Sequence, residues 1–465
     1  MIWSGIQRFG TMGIVFISNM VLARLLTPED FGCMGMVLIF ITLSNTFIDA
    51  GFGSALIQKN NPTDTDYSSI FYFNIVLSFV LYGLLYLISP LIADYYNIEI
   101  LTELMRVIGV VLIINAFSII QYSVLRKRLL FKKLAIINIV SATISTITAI
   151  IIALLGYGVW TLVIRTILQQ ALMSFFLWIV IRWRPCLLFS MQSIKSLGKF
   201  GGMILMANLV ESLYHEIYSI IIGKAFSVKD LGYYTQAKRL EEVPTKSLSM
   251  AINQVTYPIY STIQDNKAQL KNMVRQSIEY VSYFVIPMYA LLMIIAKPLI
   301  ILLFTDKWLA SIPLFQILCL CGMVYPQSTI NTNVIKSLGR GKLYFNLQLF
   351  KRLGAIGLLL FSVRYGLAGL MATMALVAIL MFLINAYFTS KLIHYRVKDQ
   401  LKDMSFPAIV SLLLGLVTYP VSSLSINGNL IMVIQISLFV IGYLLISKCL
   451  KINIIEQIIA KYRQR

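Results

Sequence analysis

Charge is what this chain has least of. Only 12% of its 465 residues are Asp, Glu, Lys or Arg, and only 19 of those are acidic. So few polar groups cannot clothe a protein of this length in water, which excludes an ordinary soluble enzyme. Cysteine is scarce too, and Cys33, Cys186, Cys319, Cys321 and Cys449 are scattered. The Cys319–Cys321 spacing suits neither a zinc site nor a redox pair, so all five read as core thiols. No phosphate-binding G-x-x-x-x-G-K-[ST] loop occurs, which argues against drive by ATP. Long loops are also missing. The gaps assigned to the outer face reach only ~15 residues, the ordinary range for connections. A membrane glycosyltransferase, polymerase or ligase would need a large external loop with clustered carboxylates, so an enzyme is not expected.

What remains is apolar. Hydrophobic residues make up 58% of the chain and the mean hydropathy is +0.82. Apolar stretches run over 4–24, 33–57, 68–92, 101–124, 134–155, 158–181, 198–223, 231–262, 277–303, 310–335, 344–363, 366–390, 405–424 and 428–448. Each is long enough to cross ~30 Å of hydrocarbon as a helix. The expected fold class is an all-α polytopic membrane protein with about fourteen spans. Met1-Ile2-Trp3 lacks the basic n-region of a signal peptide, so the first stretch is expected to be retained as a span.

Lysine and arginine fall into alternate gaps. With the first span entering from the cytoplasm, the even gaps and the tail hold 25 of the 39 cations. Lys59, Arg126, Lys127, Arg128, Arg182, Arg184, Lys336, Arg340, Lys391 and Lys398 are examples. The odd gaps hold only Arg24, Lys224, Lys229, Lys307 and Arg364. Positive-inside bias then puts both termini in the cytoplasm. Topology and contact with anionic membrane lipids account for the loop charges, and most of the net charge of +20, without nucleic acid as a partner.

A repeat underlies the rhythm. Arg24, Thr27, Asp30 and Gly32 recur in register as Lys224, Ser227, Asp230 and Gly232. Ser89-Pro90-Leu91-Ile92 is echoed by Lys297-Pro298-Leu299-Ile300, and Tyr157-Gly158 by Tyr365-Gly366. Six spans per copy keep the orientation, which makes this a parallel repeat with its axis along the membrane normal. The expected lobes are 1–190 and 191–400, with 401–465 as two appended helices and a basic cytoplasmic tail. Two lobes around a central cavity suit an alternating-access transporter.

Some charges break the rhythm. At 100° per residue, Lys238, Glu242, Lys246, Ser249 and Asn253 share one face of the eighth span, with Arg239 on its edge. Asn208, Glu211, Ser212, His215, Glu216 and Ser219 form a stripe on the seventh. Thr42, Asn45, Thr46 and Asp49 do so on the second, and Ser4, Gln7, Arg8, Thr11 and Ser18 on the first. The repeat relates these spans in pairs, as a shared cavity requires. Ionisable groups facing lipid cost ~2.5–3.5 kcal/mol each, so they should face the interior or a water path. Two readings stand side by side. Glu242 is four residues from both Lys238 and Lys246, so simple pairing is available, and a solvated cavity lining is the other. His215 beside Glu211 and Glu216 either carries a proton or is a satisfied polar histidine.

Arg165, Lys351 and Arg352 also lie within spans, while Arg106 and Lys351 are near enough to the ends to snorkel. Nine embedded cations outnumber six embedded acids. The surplus predicts an anionic cargo, and phosphate or diphosphate suits Arg forks and Lys point charges.

Leu22-Ala23-Arg24-Leu25-Leu26-Thr27-Pro28-Glu29-Asp30-Phe31-Gly32 resembles the first exit loop of the bacterial polysaccharide flippases. These Wzx-like proteins form the polysaccharide transporter branch of the multidrug/oligosaccharidyl-lipid/polysaccharide superfamily. Asp49-Ala50-Gly51-Phe52-Gly53 is similar to the end of their second helix. Leu231-Gly232-Tyr233-Tyr234, Ala237-Lys238-Arg239-Leu240 and Val243-Pro244 look like their eighth, and Tyr257-Pro258 with Ile263-Gln264-Asp265 matches its exit. The likeness is to the colanic-acid type, and Lys246 sits where some of these carry a lysine. It covers nearly the whole chain but departs at the N-terminus, where a short cytoplasmic segment is missing.

The resemblance implies a two-lobed, V-shaped, MATE-like fold in the bacterial inner membrane. It implies flipping of an undecaprenyl-diphosphate-linked oligosaccharide for O-antigen, capsule or exopolysaccharide, without an enzymatic step. Arg8, Arg24, Arg165, Lys238, Arg239, Lys246, Lys351 and Arg352 would form the basic cavity. Asp49, Asn208, Glu211, His215, Glu216 and Glu242 would line it or couple it to H+ or Na+, with no other cofactor. Polysaccharide polymerase and chain-length machinery would be further partners. The rivals are a drug or cation antiporter, for which the cavity is too basic, and a peptidoglycan-precursor flippase.

Overall fold

The computed structural model describes residues 2–49, 51–59, 61–424, 427–450 and 454. Among the described residues every regular element is helical, α or 3-10. The chain divides into two compact units, Met1–Thr235 and Gln236–Arg465.

The first unit contains α1 (Ile2–Leu25), α2 (Pro28–Asp49), α3 (Phe52–Gln58), α4 (Asp64–Tyr96), α5 (Ile100–Ile108) and α6 (Val110–Lys127). It continues with α7 (Phe131–Leu154), α8 (Trp160–Val180), α9 (Met191–Ala225) and the start of α10 (Val228–Thr262). The second unit takes the rest of α10, then α11 (Lys267–Ile294), α12 (Ala296–Phe304), α13 (Ser311–Ser337) and α14 (Gly341–Ser362). It ends with α15 (Gly366–Ile393), α16 (Val397–Thr418) and α17 (Gly428–Cys449).

Among the described residues nine helical stretches are long and apolar enough to cross a membrane, making this a multi-pass membrane protein. α9 and α10 fall outside that set although each has 35 residues. At 1.5 Å per residue each extends about 50 Å. Their polar positions, not their length, keep them out.

Three expected stretches are broken. The run over 33–57 divides into α2 and α3, where Gly51 takes φ +69° against the backbone of α9. A Cβ there would lie 2.3 Å from the Gly201 carbonyl oxygen, so only glycine fits. The run over 101–124 divides at Gly109, where a Cβ would meet the Tyr82 ring at 2.8 Å. The run over 277–303 divides at Ile295. Pro298 has no N–H to give the Ile294 carbonyl, so the helix restarts there.

The repeat shows in local geometry. The Asp30 carboxylate accepts the Thr27 N–H and hydroxyl, both at 2.9 Å, and caps α2. Asp230 does the same for Ser227 at 3.1 and 2.7 Å, capping α10. Gly158 and Gly366, the paired glycines of the later motif, both have positive φ. The packing boundary, however, does not follow the repeat boundary expected at 190/191. α9 packs against α2, α3 and α4, which carries the first compact unit on to Thr235.

The core of the first unit joins Phe52, Leu56, Ile70, Phe71, Ile120 and Leu177 across α3, α4, α6 and α8. That of the second joins Tyr260, Ile278, Ile330, Val334 and Phe382 across α10, α11, α13 and α15. The appended helices α16 and α17 pack on α11 through Val410, Leu414, Phe439 and Tyr443, and the Tyr443 hydroxyl donates to the Tyr283 carbonyl at 2.9 Å. At the foot of this unit Arg275 binds Glu279 at 2.9 Å and Asp403 at 3.0 Å, and Asp403 accepts the Tyr395 hydroxyl at 2.6 Å. Burial first, then the Asp403 carboxylate, push the Tyr395 phenol above its ordinary range. Cys186 and Cys449 are exposed, against the reading of all five cysteines as core thiols. Cys186 lies in the segment between α8 and α9 and Cys449 is the last residue of α17, where apolar neighbours in sequence do not guarantee a covering neighbour in space.

Candidate functional site

In the first unit the embedded polar groups tie helix to helix. Arg165 on α8 is half-buried, and its Nη1 donates to Asn19 Oδ1 on α1 at 3.1 Å. Asn115 on α6 donates to Asn45 Oδ1 on α2 at 2.7 Å and accepts from Gln170 Nε2 on α8 at 2.9 Å. This row of amides pairs donors with acceptors across three helices. The Thr46 and Ser212 hydroxyls meet at 3.2 Å between α2 and α9. Arg8 lies on α1, with its side chain outside the described ones. Arg24 ends α1 exposed, where a cation suits the carbonyl end of the helix dipole.

The expected acidic lining separates into different settings. Asp49 is half-buried at the end of α2, and its carboxylate caps the start of α3 through the Gly53 N–H. On α9, Asn208 is exposed, Glu216 is half-buried, and Glu211 lies 3.0 Å from His215. The Glu211 and His215 side chains are 50% and 55% exposed, so this is an open i,i+4 pair and not a buried dyad.

The second unit holds most of the basic set. Lys238, Arg239 and Arg352 are half-buried. Lys246 is exposed and pairs with Glu242 at 2.6 Å, while Asn253 lower on that stripe accepts from Asn333 on α13 at 2.8 Å. Lys351 does not snorkel. It is 6% exposed, and its Nζ donates to Asn385 Oδ1 on α15 at 2.7 Å. The Asn385 amide continues to the Ser328 hydroxyl on α13 at 2.7 Å, so one lysine organises three helices.

One polar group outside the expected set is more enclosed than any acid within it. Glu241 is 7% exposed and accepts from the hydroxyls of Thr245 and Tyr289. Gly322 on α13 makes room for this cluster. A Cβ there would lie 2.4 Å from the Tyr289 ring and 2.7 Å from Glu241 Oε1. The signal in the sequence was an acid off the polar stripe with a hydroxyl four residues on. The half-buried guanidinium and ammonium groups of the second unit offer charge-assisted hydrogen bonds of the kind that hold phosphate, and the amides and hydroxyls suit neutral polar groups.

A family model described as polysaccharide biosynthesis protein matches residues 21–313, well over half of the chain. The chain belongs to that family. It is 25% identical to the teichuronic acid biosynthesis protein TuaB of Bacillus subtilis (strain 168), over 90% of this chain and 88% of that one. It is 24% identical to the succinoglycan biosynthesis transport protein ExoT of Rhizobium meliloti (strain 1021), over 78% and 73%. Among solved structures, the lipid II flippase MurJ in an inward closed conformation superposes with a TM-score of 0.82 at 18% identity, covering 98% of this chain and all of that one. The all-helical fold expected from the sequence is thereby shown, and it is shared with MurJ.

Proposed function

We propose that the chain flips an undecaprenyl-diphosphate-linked oligosaccharide from the cytoplasmic to the outer leaflet of a bacterial inner membrane, with both termini cytoplasmic and no covalent chemistry. The observation that carries this is family membership joined to a flippase fold over nearly the whole chain. ExoT is named for transport in succinoglycan biosynthesis and MurJ for flipping lipid II, and both support a lipid-linked glycan as cargo. The excess of embedded cations supports an anionic head group, met by Lys238, Arg239 and Arg352. Alternating access of the two repeats is coupled to H+, Na+ or the membrane potential acting on embedded charge. Polymerase and chain-length proteins would take the product on the outer face.

Arg239→Gln and Arg24→Gln are each expected to abolish surface polysaccharide while leaving membrane levels of the protein unchanged, measured by glycan staining beside a blot. Normal polysaccharide in both variants would remove the basic-cavity reading. Sidedness has its own check. In a background with Cys186 and Cys449 replaced, a cysteine at Asn427 should react with an impermeant maleimide from outside, and one at Lys398 should not. Both positions are exposed, so reactivity reports side and not burial.

A further inference from the structure

An apolar groove of about 500 Å³ runs between α14 and α15. Leu343, Leu347 and Phe350 line one wall, and Leu383, Ile384 and Tyr387 the other. The lining covers residues 343–350 of α14 and 380–388 of α15, the ends of both helices nearest the basic gaps. Eight residues of helix are about 12 Å long, close to the ~15 Å of one leaflet's hydrocarbon. The groove lies open beside exposed Phe345, Phe350 and Leu353, a surface of the kind that faces lipid.

Its mouth is basic. Lys391 Nζ sits 4.6 Å from the centre of the Tyr387 ring, so a cation rests on a residue that lines the groove. Lys336 Nζ sits 4.6 Å over the Tyr344 ring, and Arg340 and Lys342 are exposed at the start of α14. Among the described residues no carboxylate lies within 4 Å of these four cations. A one-leaflet apolar slot under an unneutralised basic rim is complementary to an amphiphile with a short apolar body and an anionic head.

We propose that this groove is a binding site for an anionic diacyl phospholipid of the bilayer, with one acyl chain between α14 and α15 and the head-group phosphate at Lys336, Lys342 and Lys391. A polyprenyl carrier is the poorer occupant, since its many isoprene units outrun a slot one leaflet deep. The proposal does not depend on the proposed function.

The test is native mass spectrometry of the full chain in detergent with equal amounts of phosphatidylglycerol and phosphatidylcholine of matched chains. The wild type should retain phosphatidylglycerol preferentially. Each of Lys336→Gln, Lys342→Gln and Lys391→Gln should reduce that preference about fivefold, as expected for one basic residue near an anionic surface. Leu383→Trp, or Ile384→Phe where the first does not yield monodisperse protein, should reduce retention of both lipids by filling the slot. An undiminished preference in the triple lysine variant would overturn the proposal. So would one-for-one displacement of phosphatidylglycerol by undecaprenyl phosphate in the wild type but not in the slot-filling variant, which would assign the groove to the carrier.

Discussion

Replacing Gly232 with alanine is expected to leave little folded protein in the membrane and to bring surface polysaccharide down to background. The first turns of α2 and α10 cross so closely that each presents a glycine to the other's backbone. A Cβ on Gly232 would lie 1.9 Å from the Pro28 carbonyl oxygen, and one on Gly32 would lie 2.0 Å from that of Val228. Backbone oxygens have no rotamer to yield, so the helices must separate. Overpacking of this kind costs about 1–3 kcal/mol even where side chains can adjust, and here they cannot. The crossing holds two caps and the Lys229–Glu29 pair at 3.5 Å in place, so separation disturbs more than one contact. Gly32→Ala should fail in the same way. Gly357→Ala on α14 is the control, since an added Cβ there meets nothing within 4 Å. Membrane level and size-exclusion profile read the first effect and glycan staining the second. A monodisperse, fully exporting Gly232→Ala protein would show that the crossing is looser than described.

The second large effect concerns Lys351. Asn385→Leu removes the carbonyl that Lys351 Nζ reaches at 2.7 Å and strands a buried ammonium group. Leaving a buried donor without its acceptor typically costs about 1–3 kcal/mol, and more when the donor is charged. Purified Asn385→Leu protein should therefore melt well below the wild type. Lys351→Met together with Asn385→Leu removes charge and partner together and should recover most of the loss, because an apolar replacement of both leaves no stranded charge. A double variant no more stable than Asn385→Leu alone would mean that the asparagine acts through Ser328 and not through the lysine. Export by the stable double variant then reports whether Lys351 serves the cargo or only the packing.

The helices were legible because ~20-residue apolar runs in a bilayer have few alternatives to helix. Their interruptions were less so. Gly51 and Gly109 are breaks because of what they touch, Gly201 in one case and Tyr82 in the other, and neither partner is near in sequence. The polar stripes lie on α1, α2, α9 and α10, but a helical wheel does not name the neighbour. Asn45 and Thr46 share a stripe, yet Asn45 turns to Asn115 on α6 and Thr46 to Ser212 on α9. The pairs Glu242–Lys246 and Glu211–His215 form as the i,i+4 spacing allows. Glu241 is legible in the sequence only as one of the embedded acids, because its importance comes from Tyr289 and Gly322, which only the packing of α10, α11 and α13 brings near.

Two of the cations in the gaps assigned to the cytoplasm hold a second office. Lys127 donates its Nζ to the Leu56 and Lys59 carbonyls at the end of α3, and Arg184 spreads its guanidinium over the carbonyls of Trp178, Ile181 and Trp183 at the end of α8. Under the positive-inside reading, insertion across the bilayer and the finishing of these helices draw on the same side chains. Charge-swap experiments meant to invert the protein would also unravel the helix ends, so a variant with these two cations neutralised would report misfolding where only misorientation was sought.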